Sequence, residues 1–218
     1  MKMKIIPAIL EKDFKRVKEK IVAIDDIFDL IQIDICDGKF VKNKTWQESR
    51  QLKNLKTKAK FEIHLMAENP EKEIKKWQFD KVKRIVFHYE SLKDLKNFSW
   101  LKSVPKKISL GIALNPKTKI EVLQKIPLRY FSYILFLGVE PGRQGQKFQE
   151  GVLEKIKRIK RVDWLKKKIK IGLDGGVNEK NIRKIKKIGL DYLVIGSYFW
   201  KKWKKLMKKS IKKNEKRK

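Results

Sequence analysis

The chain alternates short β-branched runs with charged, amphipathic stretches about eight times along its 218 residues. The apolar runs predict strands at Lys4–Leu10, Leu30–Ile35, Lys60–Met66, Arg84–His88, Ser109–Leu114, Tyr133–Leu137, Lys168–Leu173 and Tyr192–Gly196. Helical patterns between them cover Asp13–Ala23, Pro70–Trp77, Lys119–Gln124, Gln149–Arg158 and Glu179–Lys187. Strands that alternate with helices are typical of βαβ units and a parallel sheet. Eight such units predict a single (β/α)8 TIM barrel rather than an open doubly wound sheet.

The barrel is expected to occupy residues 1–200, because no Pro- or Ser-rich linker interrupts the alternation. Residues 201–218 carry eleven basic residues and a single acid, Glu215. Trp203, Leu206 and Met207 stand at helical spacing, which predicts the end of the last helix followed by a basic C-terminal tail. A membrane-surface helix is the alternative, but its apolar face would be small.

The formal net charge of +32 is extreme for a chain of this size. Only nine of the 57 basic residues are arginine, and the lysines are scattered along the whole chain. Base and bidentate phosphate recognition favours arginine, so we expect lysine-rich solvated faces rather than a nucleic-acid site. A positive field of this kind also attracts small anionic molecules.

The sequence gives little reason to expect a membrane or secreted protein. No apolar segment approaches the ~20 residues that span a bilayer. The single cysteine excludes an internal disulfide framework, so a reducing cytoplasm is the expected location. Composition leaves the oligomeric state open, including a homo-oligomer.

Ionisable residues and glycines collect where the predicted strands end, which is where barrels of this class place their active sites. Gln32, Asp34 and Cys36 alternate along one strand and therefore project from the same face. Asp34 and Asp174 lie on separate strands, and two carboxylates flanking a carbon suit proton removal and delivery. The aspartates also have a structural interpretation, as solvated groups or as helix caps. His64, at the end of another predicted strand, has one as a histidine of the hydrophobic core.

Glycines at the ends of the last two predicted strands favour a phosphate site. Gly175-Gly176 and Gly196-Ser197 would expose backbone N–H groups near helix N-termini, which bind phosphate. The loops after strands seven and eight are the usual phosphate position in this fold. Gly142 and Gly145, in the loop after strand six, are expected at the same mouth. Tight turns alone would also explain these glycines.

Motifs over almost the whole chain resemble the ribulose-phosphate 3-epimerase family. They are Pro7-Ala8-Ile9-Leu10, Ile33-Asp34-x-x-Asp37-Gly38-x-Phe40-Val41-x-Asn43, His64-Leu65-Met66 with Glu68-Asn69-Pro70, Phe87-His88, Leu114-Asn115-Pro116, Val139-Glu140-Pro141-Gly142, Gly145-Gln146-Lys147-Phe148, Asp174-Gly175-Gly176-Val177 and Gly196-Ser197. The resemblance implies interconversion of D-ribulose 5-phosphate and D-xylulose 5-phosphate in the pentose phosphate pathway. Asp34 and Asp174 would be the acid/base pair at C3.

The same resemblance implies one divalent metal ion, Zn, Fe, Mn or Co, held by a His-Asp-His-Asp set. Asp34, His64 and Asp174 match three of these positions, whereas Gln32 stands where the family has its first histidine. In one account Gln32 binds the metal weakly through its amide oxygen. In a second, Glu11 or Cys36 supplies a compensating ligand. In the third, the metal and ordinary activity are lost.

Further departures lie close to the same region. Ala8 and Glu11 replace serines of the family, Cys36 replaces a methionine, and Arg143-Gln144 replace an aromatic residue and a glycine. Because both aspartates, His64 and the phosphate glycines persist, we expect an active, metal-dependent isomerase that epimerises a ketose phosphate. The alternatives are an epimerase of another ketose phosphate, such as allulose 6-phosphate, and a non-catalytic barrel that binds phosphosugars or nucleic acid.

Overall fold

Eight parallel strands form a closed barrel in the computed structural model, which describes residues 3–162 and 169–205. The strands are β1 (Lys4–Ile9), β2 (Leu30–Cys36), β3 (Lys60–Met66), β4 (Val82–His88), β5 (Ser109–Leu114), β6 (Tyr133–Leu137), β7 (Lys170–Asp174) and β8 (Tyr192–Ile195). Each strand pairs with its sequence neighbours, and β1 also pairs with β8. The predicted (β/α)8 barrel is therefore confirmed, and all eight strands lie within two residues of their expected bounds in the part described.

Two strand ends matter for the site. Cys36 is the last residue of β2, and Asp174 is the last residue of β7, so both side chains are fixed by sheet pairing rather than by a loop. Asp174 pairs with Leu137 on one side and Val194 on the other. The predicted start of this strand at Lys168 lies outside the described residues.

Helices surround the barrel, as the alternating pattern predicts. They are α1 (Phe14–Val22), α2 (Ser49–Asn54), α3 (Pro70–Lys76), α4 (Gly151–Lys160) and α5 (Ile182–Lys187), followed after β8 by helical residues 197–205. The helix predicted at Lys119–Gln124 is instead a 3₁₀ helix, Ile120–Lys125. Pro127 follows it almost at once, and so short a segment favours the tighter winding. The sequence pattern did not predict α2.

The segment after β8 is tied back to the barrel. Trp200 Nε1 donates a hydrogen bond of 2.7 Å to the carbonyl oxygen of Ala8 in β1. Trp203 packs against the hydrophobic core, in agreement with a helix that continues past residue 200. Leu206, Met207 and the basic tail lie outside the described residues, so the proposed boundary at residue 201 stays a prediction.

Alternating side chains divide the strands into an outer core, packed against the helices, and a barrel interior. Apolar residues of the interior are Ile6, Ala8, Val86, Ala113, Tyr133, Leu135, Leu137 and Val194. The same alternation turns Gln32, Asp34 and Cys36 inward on β2, as predicted, and their register places Asp34 beside His64 of β3.

A buried ion pair forms the floor of the barrel interior. Arg84 Nε donates to Glu62 Oε2, and both residues are almost completely buried. The guanidinium carbon lies 3.7 Å from the ring centroid of Tyr133 and 4.4 Å from that of Tyr192. Gly172 leaves room for this layer, because a Cβ there would lie 2.0 Å from the Tyr133 hydroxyl. The polar site therefore rests on a packed layer rather than on an open channel.

Among the described residues, no helix has the length and apolar character required to cross a membrane. The expected cytoplasmic location stays a prediction.

The floor makes a prediction about stability. Glu62→Leu leaves Arg84 buried without its partner, which should lower the free energy of unfolding by about 3–5 kcal/mol. Urea denaturation followed by circular dichroism measures the change. The control is the double variant Glu62→Leu/Arg84→Met, which removes both charges and should lose much less. Equal losses in the single and double variants would contradict the role assigned to this ion pair.

Candidate active site

Four buried side chains meet inside the barrel near the C-terminal ends of its strands. Gln32 and Asp34 come from β2, His64 from β3 and Asp174 from β7. His64 Nδ1 lies 3.1 Å from Asp34 Oδ1 and 3.6 Å from Asp174 Oδ2. The structure thus brings together two aspartates and a histidine that are far apart in the chain.

Gln32 lies at the centre of this group. Its Nε2 donates hydrogen bonds of 2.8 Å to Asp34 Oδ1 and 2.8 Å to Asp174 Oδ2, and it lies 3.4 Å from His64 Nδ1. The side chain has no exposed surface. Its other amide atom, Oε1, is buried without a hydrogen-bond partner among the described residues. Gln32 is therefore the donor that joins the two carboxylates.

Burial sets the protonation of the two aspartates. It raises the pKa of Asp34 to about 7, against the lowering effect of the Gln32 hydrogen bond. Burial also raises the pKa of Asp174 to about 7, and the nearby charge of Asp34 adds to this effect. Two interacting acids of this kind exchange protons as a pair near neutral pH, the range in which general acid and base catalysis is effective.

A second histidine contacts Nε2 of His64, the ring nitrogen that does not face the aspartates. His88, at the end of β4, is fully buried, and its Nε2 lies 2.9 Å from His64 Nε2. The two rings stack at a centroid distance of 5.0 Å. Burial lowers the pKa of both histidines, so the pair is held in the neutral form.

Glu90 completes this line of contacts. Its Oε2 lies 3.4 Å from His88 Nδ1, while Oε1 accepts hydrogen bonds from the backbone N–H of Asn115 and the hydroxyl of Thr118. If His64 Nδ1 is unprotonated, its proton is on Nε2 and points to His88, whose own proton then faces Glu90. Carboxylate–histidine contacts of this type orient metal-binding imidazoles. His88 was not among the predicted site residues. Two sequence signals pointed to it, namely the alternation of side chains along β4 and the Phe87-His88 motif.

A cavity opens beside the four buried side chains. Its lining includes Asp34, His64 and Asp174 together with all the predicted phosphate residues, Gly142, Gly145, Gly175, Gly176, Gly196 and Ser197. Arg143 and Gln144, which the resemblance implies are replacements of an aromatic residue and a glycine, line the same cavity. The structure therefore places these residues around one space. Their contact with a phosphate stays a prediction.

Gly175 and Gly176 form a turn that requires glycine. Their φ angles are +93° and +70°, in the left-handed region that side chains disfavour. A Cβ on Gly175 would lie 2.5 Å from Val139 Cγ2, and one on Gly176 would lie 2.8 Å from the Cα of Phe148. The turn directly after Asp174 consequently keeps backbone atoms at the wall of the cavity.

The two candidate compensating ligands lie apart from the cluster. Glu11 pairs with Lys20, with 2.5 Å between its Oε1 and the lysine Nζ. The Cys36 thiol lies 3.8 Å from the sulfur of Met66, and burial raises its pKa well above the ordinary value. Neither is part of the group whose ligand atoms lie within 4.8 Å of one another, which in the described chain consists of Asp34, His64 and Asp174.

The residues at the centre fit a divalent cation. Two carboxylates and a neutral imidazole are common metal ligands, and their atoms already converge. The unpartnered Oε1 of Gln32 belongs to the same amide as the central Nε2 and offers a further oxygen as a fourth ligand. The buried carboxylates also need a positive partner more than exposed ones would.

The comparisons with known proteins agree with the resemblance of the sequence motifs. The model of the "Ribulose-phosphate 3 epimerase family" matches residues 4–200. The chain belongs to this family. A ribulose-phosphate 3-epimerase of Buchnera aphidicola subsp. Baizongia pistaciae is 35% identical over 87% of this chain and 85% of its own. One from Helicobacter pylori (strain ATCC 700392 / 26695) is 32% identical, over 91% of each chain.

Solved structures show the same fold at low sequence identity. A mutant tryptophan synthase alpha-subunit from Pyrococcus furiosus superposes with a TM-score of 0.65 at 15% identity, covering 93% of this chain and 90% of that one. The likeness concerns the barrel alone. Family membership confirms the predicted resemblance and the isomerase class. Gln32, at the position where the resemblance implies a histidine, lies at the centre of the cluster.

The histidine pair makes a testable prediction. His88→Phe removes the partner of His64 Nε2 and should weaken binding of a divalent metal by about 10–100-fold. Isothermal titration of the metal-free protein with Zn²⁺ measures this affinity. His88→Gln retains an acceptor and should recover part of the loss, whereas thermal melting checks that each variant is folded. Unchanged Zn²⁺ affinity in folded His88→Phe would show that His88 does not orient His64.

Proposed function

We propose that this protein interconverts D-ribulose 5-phosphate and D-xylulose 5-phosphate by proton transfer at C3. The observation that supports this most directly is the placement of two buried carboxylates, Asp34 and Asp174, beside a cavity with a glycine-rich wall. The aspartates belong to strands three positions apart around the barrel, β2 and β7, so they reach a bound sugar from different directions.

The two aspartates act as base and acid in this proposal. One ionised carboxylate removes the proton from C3, and the other, protonated, delivers a proton to the opposite face, which inverts the configuration. Without a metal, burial raises the pKa of each aspartate to about 7, so both the protonated and the ionised form are accessible near neutral pH. The reverse reaction exchanges the two roles. In the metal-free protein, the Gln32 amide donates to both carboxylates and holds them in their relative positions.

A divalent metal is the expected cofactor, with Asp34, His64, Asp174 and the amide oxygen of Gln32 as its proposed ligands. When bound, such an ion supplies positive charge near the substrate oxygen that becomes negative as C3 loses its proton. The proposal leaves the metal among Zn, Fe, Mn and Co. His88 and Glu90 keep His64 in the required orientation and tautomer.

The substrate phosphate is proposed to bind where glycines, rather than the aspartates, line the cavity. Gly175-Gly176 offer backbone N–H groups after β7, and Gly196-Ser197 stand at the beginning of helical residues 197–205. N–H groups at a helix N-terminus and the helix dipole both attract a phosphate. The large positive charge of the chain steers the anionic sugar toward this mouth.

The direct test is epimerisation of D-ribulose 5-phosphate by the purified protein, before and after chelation and with Zn²⁺, Mn²⁺, Fe²⁺ or Co²⁺ restored. We expect turnover that is lost on chelation and recovered with metal. Preferential turnover of allulose 6-phosphate would instead identify another ketose phosphate as substrate. A folded protein that binds nucleic acid in a salt-sensitive manner and turns over no sugar phosphate would overturn the proposal.

The two-carboxylate mechanism predicts the effect of single substitutions. Asp34→Asn and Asp174→Asn should each lower kcat by at least about 10²–10⁴-fold, because each removes a group that transfers a proton. A coupled spectrophotometric assay measures the loss, and circular dichroism checks the fold. The control is Asp26→Asn, an exposed aspartate paired with Lys58. Full activity in either active-site variant would exclude that residue from proton transfer.

The phosphate site predicts a change in KM rather than in kcat. A Cβ on Gly196 would lie 2.9 Å from Gln144 Nε2, the end of a flexible side chain, so Gly196→Ala should fold but narrow the cavity. We expect KM for D-ribulose 5-phosphate to rise roughly tenfold, the equivalent of about one hydrogen bond, with kcat little changed. The control is Gly151→Ala, where a Cβ meets no atom within 4 Å. An unchanged KM would place the phosphate elsewhere.

A further inference from the structure

Gln32 fills the centre of the cluster with its nitrogen, not with its oxygen. Nε2 is the atom that lies 2.8 Å from an oxygen of each aspartate, so the two amide hydrogens serve two different carboxylates. A histidine nitrogen at this position could donate at most one hydrogen. The amide is thus unusually well matched to two adjacent carboxylates in the absence of a cation.

The orientation of this amide is coupled to the charge at the centre. A half-turn of the amide would bring Oε1 toward the carboxylate oxygens, which offer lone pairs, and toward His64 Nδ1, which offers one when the ring proton is on Nε2. Without a cation, such an arrangement places several acceptors together in a buried space, which is strongly unfavourable. With a cation at the centre, the same half-turn adds one oxygen ligand and frees Nε2, which cannot ligate a metal while it carries two hydrogens.

The donor set that results differs from the one the family pattern implies. It contains two carboxylates, one amide oxygen and one imidazole, that of His64. Carboxylate and carbonyl oxygens suit Mn²⁺ and Mg²⁺, whereas a second imidazole would suit Zn²⁺ better. Glu11 and Cys36 are engaged elsewhere, with Lys20 and beside Met66, and do not restore a nitrogen or sulfur ligand at the cluster.

We propose that Gln32 is a cation substitute and a metal selector. Its N–H₂ group holds the two aspartates together when no metal is bound, and its oxygen turns inward to ligate a bound ion. Replacement of a family histidine by this amide shifts the site from Zn²⁺ toward oxygen-preferring ions such as Mn²⁺. The inference rests on the metal-binding part of the proposed function.

Metal titrations of three proteins test the selectivity. Affinities for Zn²⁺ and Mn²⁺ are measured by calorimetry on metal-free wild type, Gln32→His and Gln32→Met, with folding checked by thermal melting. Gln32→His should raise the Zn²⁺ affinity by about tenfold or more, the scale expected for a change in a metal's immediate surroundings, and the Mn²⁺ affinity much less. Gln32→Met has a similar volume but lacks the oxygen, so it should lose about tenfold in Mn²⁺ affinity.

Two results would overturn the selector role. One is an equal gain for Zn²⁺ and Mn²⁺ in Gln32→His, and the other is an unchanged Mn²⁺ affinity in Gln32→Met.

Nuclear magnetic resonance tests the amide directly. In protein labelled with ¹⁵N at glutamine, the Gln32 side-chain signal is identified by its absence in Gln32→His. We expect both of its hydrogens to be protected from solvent exchange and shifted downfield in the metal-free protein, because each is bonded to a carboxylate. Addition of Zn²⁺, which is diamagnetic, should abolish the downfield shift, because the hydrogens then no longer face the carboxylates. Signals that stay unchanged at saturating Zn²⁺ would overturn the substitute role.

The outcomes separate this inference from the proposed function. Turnover of D-ribulose 5-phosphate without the expected metal pattern would reject the role of Gln32 and leave the epimerase assignment intact. The expected metal pattern without turnover of a ketose phosphate would reject the assignment and support the role of Gln32.

Discussion

The burial of Asp34 and Asp174 at one point of the barrel is the constraint on which the rest of the site depends. Removal from water favours the protonated form of both carboxylates and raises the pKa of each to about 7, and the charge of Asp34 adds to this effect on Asp174. Gln32 offsets part of this penalty by donating to both. His64 lies against the same oxygens and is supported by His88 and Glu90. Gln32 and His64 thus contact the two carboxylates directly, and His88 and Glu90 act on them through His64.

The closed barrel makes this concentration of polar groups tolerable. Inward-facing positions form a floor in which Arg84 pairs with Glu62 and stacks on two tyrosines, and the active-site residues rest above it. The many lysines, by contrast, belong mainly to exposed surfaces, and their ion pairs with acidic residues are mostly solvent-exposed. Such pairs contribute little to stability, so the net charge bears on the attraction of anions rather than on the fold.

Family membership concerns the whole barrel, whereas Gln32 concerns a single position in the cluster of buried polar residues. The barrel and the match over residues 4–200 show the family, whereas the resemblance of the motifs implies a histidine at the position where this chain has the amide of Gln32. A single substitution at that point alters the charge, the number of hydrogen-bond donors and the ligand type together. It therefore bears on metal choice and on the behaviour of the metal-free site, without requiring any change in the barrel.

The sequence by itself determined the eight strands, the inward parity of Gln32, Asp34 and Cys36, and the collection of glycines at one end of the barrel, because these depend on local pattern and spacing. It also indicated the family through ordered motifs. Only the tertiary structure decided that Gln32 bridges two aspartates 140 positions apart in the chain, that His88 and Glu90 support His64, and that Glu11 and Cys36 lie away from the cluster. Those outcomes depend on register across non-adjacent strands and on side-chain packing, which no local pattern contains.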